Sequence, residues 1–371
     1  MKLGLSRIIL CAALVSHANA AQKDIGWDPA RTWIFAVGVL HWKHSEMFGS
    51  FPVEERRDAE FVDFFKQHGV PADHIVYLQD EKGTQKRIDA AFVDALKKVG
   101  QDDLLIVYYA GHGSKSENGK DVYLASYDAG DKDVPGWSVN SIPKTIGAKS
   151  ACQRVLWFID CCYSGQAARA IANSDNSVAY ACVTSSSASE SSTGHWTFTE
   201  ALLDALRGIA YVDLNHDGAI TLAEFASHAH ADMALGEEQL STFATTNGFD
   251  RQMILSRAPP LENARVGERG QIEWHGDWWP VRVIEENRGK LKVHYIGYSG
   301  GDDLWVAPEK LRPVKPLQYA PGSKVDVLWK KKWYPATVLK VEDGIHLIHY
   351  TDYDSSWDEW VASKRIRKTR S

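Results

Sequence analysis

The sequence predicts an α/β fold, with a mostly parallel sheet flanked by helices, followed by two small all-β barrels. Two near-continuous apolar runs, at 104–110 and 154–160, are typical of parallel strands that are covered on both faces. Strand and helix patterns alternate ahead of them, and that order requires such a sheet. Near the C-terminus, short segments of alternating apolar and polar residues occur twice, which favours small bent barrels.

The predicted elements of the α/β part follow in a β-α-β-α-β order. A polar segment after residue 112 and a hairpin at 121–127 leave the sheet, as loops that frame an edge site do. The helices are predicted from apolar residues that recur every three or four positions. In chain order the elements are strand 32–40, helix 54–69, strand 74–78, helix 84–99, strand 104–110, strand 154–160, strand 178–185, helix 197–206, helix 222–235 and a last strand within 243–255.

Chemistry-bearing side chains follow both apolar runs. LLIVYYAGHG at 104–113 reaches His112, and RVLWFIDCCYSG at 154–165 presents Cys162 ahead of a Ser and a Gly. Open α/β sheets place ligands at the carboxyl edge of their strands. A lone Cys or His at a strand end is more often a buried structural residue. Two strands that deliver a thiol and an imidazole to one edge predict a nucleophile and its base.

YYAGHG together with DCCYSG resembles the caspase-like cysteine peptidases, the clan of caspases, metacaspases, legumains and clostripain-like enzymes. The resemblance covers residues 30 to 258, within a domain that we place at 21–258. It implies that Cys162 attacks the scissile carbonyl, that His112 transfers protons, and that the N–H groups of Gly113 and Cys162 stabilise the oxyanion. Cys161 is the rival nucleophile by proximity, and the family's pattern of an acidic residue, any residue, then Cys selects Cys162.

The same resemblance implies an acidic P1 pocket. Asp160 occupies the position that metacaspases and legumains use there, and Asp58 resembles the Asp of the metacaspase N-D-A segment, although Arg57 replaces the usual Asn. Two carboxylates favour Arg or Lys at P1 and repel Asp. The alternative for Asp58 is a solvated charge on a helix.

The segment DLNHDGAITLAE at 213–224 matches the calcium-binding loop of an EF-hand, with helical patterns on both sides. Gly218 permits the sharp turn. A single EF-hand without a partner is expected to bind weakly or to depend on its scaffold, and the alternative is an acidic turn that binds nothing. The predicted calcium ligands are Asp213, Asn215, Asp217, the carbonyl of Ala219, and Glu224. No organic cofactor is expected.

An internal repeat follows the Pro259-Pro260 break. At an offset of 55 without a gap, Trp274 pairs with Trp329, Tyr298 with Tyr353, and other positions match in the same register. Eight of the 14 Trp residues lie after residue 270. The two copies, at 264–314 and 319–369, resemble the Tudor, Tudor-knot and chromo-barrel group.

In that group an aromatic cage can hold a methylated or otherwise cationic side chain. The alternative is that these aromatics form the core of very small barrels. The residues that we place near such cages are Tyr295, Tyr298 and Trp305 in the first copy and Tyr350, Tyr353 and Trp360 in the second.

The N-terminus predicts export to the periplasm or the medium. Residues 1–20 have basic residues, a short apolar core and an Ala-x-Ala ending, as in a signal peptide, and that core is too short to span a bilayer. Losing Lys2 and Arg7 takes the net charge from −6 to −8, so nucleic acid is not expected as a partner. A reduced Cys162 leaves at most one disulfide among Cys152, Cys161 and Cys182.

Three functions fit these observations. The first, which we favour, is an exported, calcium-binding cysteine endopeptidase that acts on proteins or peptides and carries a non-catalytic pair of barrels. The second is a scaffold that binds a peptide or a modified-lysine-like ligand through the barrels, with an accessory peptidase domain. The third is a caspase-like fold that performs other acyl chemistry.

Overall fold

A six-stranded sheet forms the centre of the α/β domain. Its strand order is β10-β8-β7-β3-β1-β2, and all neighbours are parallel except β10, which runs antiparallel to β8. The computed structural model describes residues 25–53, 56–187, 194–314, 318–329 and 331–369. The predicted signal segment, 1–20, lies outside the described residues. Within them, no helix combines the length and the apolar character that a membrane crossing requires.

The strands of this domain are β1 (Thr32–Gly38), β2 (Ile75–Gln79), β3 (Leu104–Ala110), β4 (Gly113–Lys115), β5 (Val122–Leu124), β6 (Trp137–Ser138), β7 (Arg154–Asp160), β8 (Ala179–Thr184), β9 (Ala219–Thr221), β10 (Thr242–Thr245) and β11 (Ile254–Arg257). The helices are α1 (Arg57–Gln67), α2 (Gln85–Leu96), α3 (Ser141–Lys149), α4 (Gln166–Ala172), α5 (Thr197–Leu206) and α6 (Leu222–Asp232).

Two apolar layers cover the sheet. Because side chains alternate along a strand, Tyr108 and Tyr109 of β3 enter opposite layers. Helices α1, α5 and α6 pack on the first face, and α2, α3 and α4 on the second. Strands β3 and β7 are buried on both faces, as their continuous apolar sequence predicts.

The last predicted strand is wrong in one respect. Residues 243–255 were expected to form one strand of the sheet, but the chain forms two short ones. Strand β10 joins the main sheet, while β11 pairs with β9. Asn247 and Gly248, with φ of 49° and 75°, turn the chain between them, which a continuous strand does not allow.

The C-terminal repeat folds into two antiparallel units, each with its own buried core. The first barrel comprises β12 (Arg269–Trp274), β13 (Asp277–Asn287), β14 (Lys290–Tyr295) and β15 (Leu304–Val306). The second comprises β16 (Lys324–Trp329), β17 (Lys332–Glu342), β18 (Ile345–Tyr350), β19 (Glu359–Val361) and β20 (Ile366–Lys368). The long second strand has an irregular register at equivalent places, after Val283 and Val338, and this bends both units.

Candidate active site

The register of the sheet brings the two predicted catalytic residues to one edge. Ala110 of β3 is paired with Asp160 of β7. His112 and Cys162 each follow two residues later, so they leave neighbouring strands at the same level. Gly111 N–H donates to the Asp160 carbonyl at 3.2 Å, which extends the pairing beyond the strand ends. The carboxyl edge of the sheet therefore carries a thiol beside an imidazole.

His112 lies in an aromatic pocket. Its ring centroid is 4.5 Å from those of Trp42 and Phe51 and 5.8 Å from that of Phe48. Nε2 is 2.8 Å from the carbonyl oxygen of Gly49, which only accepts, so Nε2 carries the proton. Burial lowers the pKa of His112 below its ordinary value. A neutral ring with Nε2–H has its lone pair on Nδ1, the form in which it accepts a proton.

The turn that carries Cys162 is tightly braced. Tyr163 has a φ of 59°, an uncommon conformation for a bulky residue. Buried Ser164 exchanges hydrogen bonds with Ser186, whose hydroxyl also donates to the Cys161 carbonyl at 3.0 Å. The Ser of the DCCYSG motif therefore fixes the nucleophile turn to the chain that follows β8.

Gly113 packs against this turn. A Cβ added there would overlap the Cys162 carbonyl oxygen and lie 3.1 Å from Cys161 Sγ. Only glycine allows the two backbones to approach so closely. The oxyanion role predicted for the N–H groups of Gly113 and Cys162 stays a prediction.

A narrow cleft beside the two predicted catalytic residues contains Asp160. Leu40, Gly111 and the segment 194–196 line it as well. Thr199 Oγ1 of α5 donates to Asp160 Oδ2 at 2.7 Å. Burial, with a smaller contribution from the charge of Glu237, raises the pKa of Asp160 to about 6. As it stands the cleft encloses about 30 Å³, roughly the space of one water molecule, and the acidic P1 pocket stays a prediction.

Asp58 lies beneath the same edge, fully buried, at the start of α1. Its carboxylate accepts from Arg56 at 2.8 and 3.1 Å and from the Tyr77 hydroxyl at 2.6 Å. Arg56 also pairs with Asp80 and donates to the Gly38 carbonyl at 2.9 Å. Asp58 is therefore not a solvated helix charge. As the structure stands, it could contact a substrate only if Arg56 moved.

The predicted calcium loop has a defined hydrogen-bond pattern. Backbone N–H groups donate to the predicted ligands at loop positions one, three and five: Gly218 to Asp213 at 2.8 Å, Asp217 to Asn215 at 2.9 Å, and Ala219 to Asp217 at 2.9 Å. These bonds curl the loop so that its oxygen-bearing side chains share one turn. The donor set, all oxygen, suits a calcium ion.

Glu224 closes the loop from α6. Its carboxylate accepts from Thr221 in a capping box and from the N–H of Leu214 at 3.1 Å. Among the described residues, no three His, Cys, Asp or Glu side chains are close enough together to hold an ion as they stand. Closing the site would require Glu224 to turn from these donors. Calcium binding stays a prediction.

The loop is not without a partner strand. Residues Ala219–Thr221 form β9, which pairs antiparallel with β11 of the same domain. Gly218 also accepts from the Ala258 N–H at 3.2 Å. The scaffold thus holds this single loop, which matches the second of the two alternatives given above, weak binding or dependence on the scaffold.

The aromatic residues predicted for the cages lie in different places in the two barrels. In the second, Tyr350 and Tyr353 border an open cavity of about 200 Å³. Trp360 lies on the other side of its strand, because its neighbour Glu359 borders the cavity. The remaining aromatic residues of this cavity are Trp329, Tyr334 and Trp357.

In the first barrel, Tyr295 and Tyr298 lie 6.4 Å apart between ring centroids, and Tyr298 packs on Trp279. Leu304 and Val306 face the core, so Trp305 between them points outward, 42% exposed. Tyr295 is buried in the core itself. In the first barrel, therefore, Tyr295 belongs to the core and Trp305 lies on the surface.

Several residues of this site had no sequence signal. Gly49 fixes the tautomer of His112, and the Tyr109 hydroxyl lies 2.8 Å from the His112 carbonyl oxygen. Ser186 braces the nucleophile turn. Gly49 and Ser186 lie far along the chain from their targets and belong to no short motif, whereas Tyr109 is three residues from His112, within the YYAGHG segment. Only the folded sheet brings them together.

A mostly parallel α/β sheet with a Cys and a His two residues beyond paired strand ends has the arrangement predicted for a cysteine peptidase. The caspase domain model, peptidase family C14, matches residues 58–253, which are 196 of the 371 residues. The chain belongs to this family. The Agenet domain model matches 271–316, and a model described as the RNA binding activity-knot of a chromodomain matches 320–368.

Solved structures with similarity to this chain include protein GSU0716 from Geobacter sulfurreducens, at 16% identity and a TM-score of 0.46, covering 62% of this chain and 100% of its own. Tbtudor has 22% identity, covers 15% and 100%, and has a TM-score of 0.14. The AGD34 structure of Arabidopsis thaliana AGDP1 has 17% identity, covers 28% and 79%, and has a TM-score of 0.14. Nothing about function follows from likenesses of this size. No curated protein matches the chain.

Proposed function

We propose that the protein is a cysteine endopeptidase that uses Cys162 and His112. The observation that most supports the proposal is the pairing of Ala110 with Asp160 on neighbouring strands. His112 and Cys162 each lie two residues after one member of this pair. Membership of the caspase domain family supports the same reaction.

In this reaction the Cys162 sulfur attacks the scissile carbonyl carbon, and His112 takes the thiol proton. The tetrahedral intermediate collapses, the C–N bond breaks, and His112 returns the proton to the leaving amine. A water molecule then attacks the acyl-enzyme carbonyl, and His112 takes a proton from it. The C–S bond breaks, and His112 returns that proton to the Cys162 sulfur, which releases the acid and restores the thiol. The Gly49 carbonyl keeps the imidazole in one tautomer through both halves.

The proposal includes cleavage after Arg or Lys. Asp160 is the carboxylate in the cleft, and its pKa of about 6 leaves it largely ionised at neutral pH. A substrate guanidinium that enters the cleft would form a charge-assisted hydrogen bond with it. Asp58 contributes to the same acidic edge, with its charge shared with Arg56.

Calcium binding and export are further parts of the proposal. Asp213, Asn215, Asp217, Ala219 and Glu224 would hold the ion, which supplies positive charge that ties two helices to one loop. The signal-like segment 1–20 supports export, and extracellular calcium at roughly 0.1–1 mM suits such a loop.

A second function is favoured by the open cavity of the second barrel. Five aromatic rings, with Asp358 and Glu359, surround about 200 Å³ of space. Aromatic faces attract cations, so this cavity suits a basic or methylated side chain. Lys115, beside the catalytic edge, borders the same cavity. Here the protein would act as a binding module, with or without peptide cleavage.

A thiol-reactive peptidyl-arginine probe distinguishes the two functions. A peptidase is labelled at Cys162, and a peptide substrate competes with the labelling. A matched probe with citrulline, which is neutral and of similar shape, should label much more slowly. A folded protein that the arginine probe does not label would contradict the peptidase function and leave the binding module.

A further inference from the structure

We propose that the first barrel is a working part of the peptidase: its Gly297–Tyr298 turn positions His195, and His195 is a specificity-determining residue in the substrate cleft. This inference rests on the proposed peptidase function. In this inference the Gly297–Tyr298 turn contacts the peptidase domain and does not bind a ligand from outside the chain.

His195 is held from two sides. It lines the same cleft as Asp160, between Gly194 and Trp196. Its Nδ1 lies 3.2 Å from both carboxylate oxygens of Glu237. The other contact is with Tyr298 of the first barrel, at 4.9 Å between ring centroids and 41° between planes. The imidazole is therefore placed by a buried anion from its own domain and an aromatic ring from the barrel.

Glu237 belongs to the turn Met233–Glu237 that follows α6. Its side chain is 2% exposed, and it also accepts from the hydroxyl of Thr197, the first residue of α5. The hydrogen bond to Glu237 raises the pKa of His195. An imidazole whose protonated form is favoured by Glu237 thus lies in the cleft with Asp160, and the Cys/His mechanism does not require it.

Gly297 shows how closely the barrel approaches this group. A Cβ added there would overlap Thr197 Oγ1 and lie 2.9 Å from Glu237 Oε1 and 3.2 Å from His195 Cβ. In the second barrel the equivalent residue, 55 positions later, is Asp352, with a φ of 65° close to the 86° of Gly297. The turn itself accepts a side chain. The first copy needs glycine because the cleft wall fills the space.

The barrel cannot easily move away. Buried Arg282 pairs with Asp232 of α6 and with Asp204 of α5, the latter at 2.9 Å. His294 lies 2.8 Å from Glu200 of α5 and 2.7 Å from Asp303 of its own barrel. Helix α5 also carries Thr199, the residue that bonds Asp160. Helix α5 thus contacts the first barrel through Asp204 and Glu200, bonds Asp160 through Thr199, and begins two residues after His195.

The two barrels differ in what meets their equivalent tyrosines. Tyr353 is 43% exposed at the open cavity of the second barrel. Tyr298 instead faces His195 of the peptidase domain. In the first copy, Tyr298 is thus in contact with His195 of the same chain, and His195 lines the substrate cleft.

The first test uses two pairs of variants with a short fluorogenic peptide that ends in arginine. Tyr298→Ala should raise KM about tenfold with kcat little changed, whereas Tyr298→Phe keeps the ring and should behave as wild type. Gly297→Ala should also raise KM. Its control is Gly289→Ala in the same barrel, with a φ of 73° and nothing within 4 Å of the added Cβ. Both substitutions place an alanine at a positive φ, so their backbone costs are similar. The difference in KM between the two variants therefore measures the contact between residue 297 and the cleft wall.

The second test addresses His195 directly. His195→Gln keeps a donor for Glu237 but removes a group that Glu237 favours in its protonated, positively charged form. The ratio of kcat/KM for arginine over citrulline at P1 should therefore rise several-fold. Iodoacetamide alkylation of Cys162, which needs no substrate cleft, should proceed at the wild-type rate in all of these variants.

The outcomes separate this inference from the proposed function. If wild type cleaves the peptide but Tyr298→Ala keeps the wild-type KM, the barrel has no part in the cleft and the inference alone fails. If alkylation slows as much as cleavage, the barrel merely supports the fold and the inference again fails. If wild type neither cleaves nor reacts with the arginine probe, the peptidase function fails and the inference fails with it. Should Gly297→Ala not fold, the Tyr298 pair decides.

Discussion

Cys161 and Cys162 are adjacent in the chain, but their surroundings differ. Cys161 is buried, and its Sγ lies 3.3 Å from the Cys162 carbonyl oxygen. Burial raises the pKa of Cys161 well above its ordinary value, so little thiolate forms there. Cys162 is partly exposed at the sheet edge. The four cysteines of the described residues are free thiols, and none of them forms a disulfide in this structure.

We therefore expect Cys162→Ala to abolish cleavage and Cys161→Ala to retain most of it. Removing the nucleophile of a group that acts as a unit should reduce kcat by about 10⁴-fold or more. Initial rates on one arginine peptide, with circular dichroism to verify folding, give the comparison. Equal losses in two folded variants would remove the assignment of Cys162.

A second expectation at the residue scale concerns Asp160. Its pKa of about 6 means that the carboxylate gains a proton as pH falls through that value. The neutral acid no longer attracts a guanidinium, so the preference for arginine over citrulline at P1 should fall in the same range. Taking the ratio of the two substrates cancels the titration of His112, which both need.

Asp160→Asn serves as the control for this profile. Between pH 5 and pH 8 it should have a low arginine-to-citrulline ratio without the fall near pH 6 that the wild type shows. A wild-type ratio that stays constant over that range, or efficient cleavage after Asp, would overturn the acidic pocket.

At the scale of elements, the loop 213–224 and β11 form one unit. Strand β9 inside the loop pairs with β11, and α5 and α6 lie on either side. An ion in the loop would fix the direction of α6 relative to β11. This links calcium to the stability of the catalytic domain without any contact with the dyad.

Calcium should therefore raise the melting temperature, and a chelator should reverse the change. A ligand at about 100 times its Kd adds roughly 2.7 kcal/mol to a folded state that alone binds it. Glu224→Gln removes one closing oxygen and should weaken the response, whereas Glu285→Gln, an exposed change in the first barrel, should not. If calorimetry detects no binding to wild type below about 10 mM, the loop is only an acidic turn.

The sequence predicted elements best where one physical cause dominates. Strands 104–110 and 154–160 and helix 197–206 have the expected bounds, because long apolar runs and helical spacing determine them. Helices α3 and α4 were not predicted, since both are short and carry weak patterns. Strand order predicted that residues 112 and 162 leave neighbouring strands at one edge, and the register confirms this; their catalytic role stays a prediction. The cleft wall at His195 did not, because it depends on how a separate barrel docks.

At the scale of the whole molecule, buried charges join the first barrel to the peptidase domain. Asp232 accepts from Arg269 at 2.6 Å and also pairs with Arg282. Arg269 donates to His228, where burial lowers the pKa to about 3, so that ring is a neutral acceptor. A buried pair of this kind stabilises little by itself, but removing one partner leaves an uncompensated charge.

Arg282→Met should accordingly destabilise the full chain by about 3–5 kcal/mol, because Asp204 and Asp232 lose a shared cation. Arg312→Met, which removes an exposed arginine from the same barrel, should cost less than about 1 kcal/mol. Urea unfolding of both variants gives the comparison. Similar midpoints would mean that the barrel is only loosely attached.

Gly297 and Asp352 also bear on the history of the chain. A tandem duplication provides two copies of one unit, and each copy can then diverge under its own constraint. At this turn the second copy has a side chain, that of Asp352. In the first copy a side chain at Gly297 would overlap Thr197 of the peptidase domain. In this chain the first copy packs against the peptidase domain. Exchanging the two copies should therefore not be neutral, since Asp352 in the first position would enter the space of Thr197.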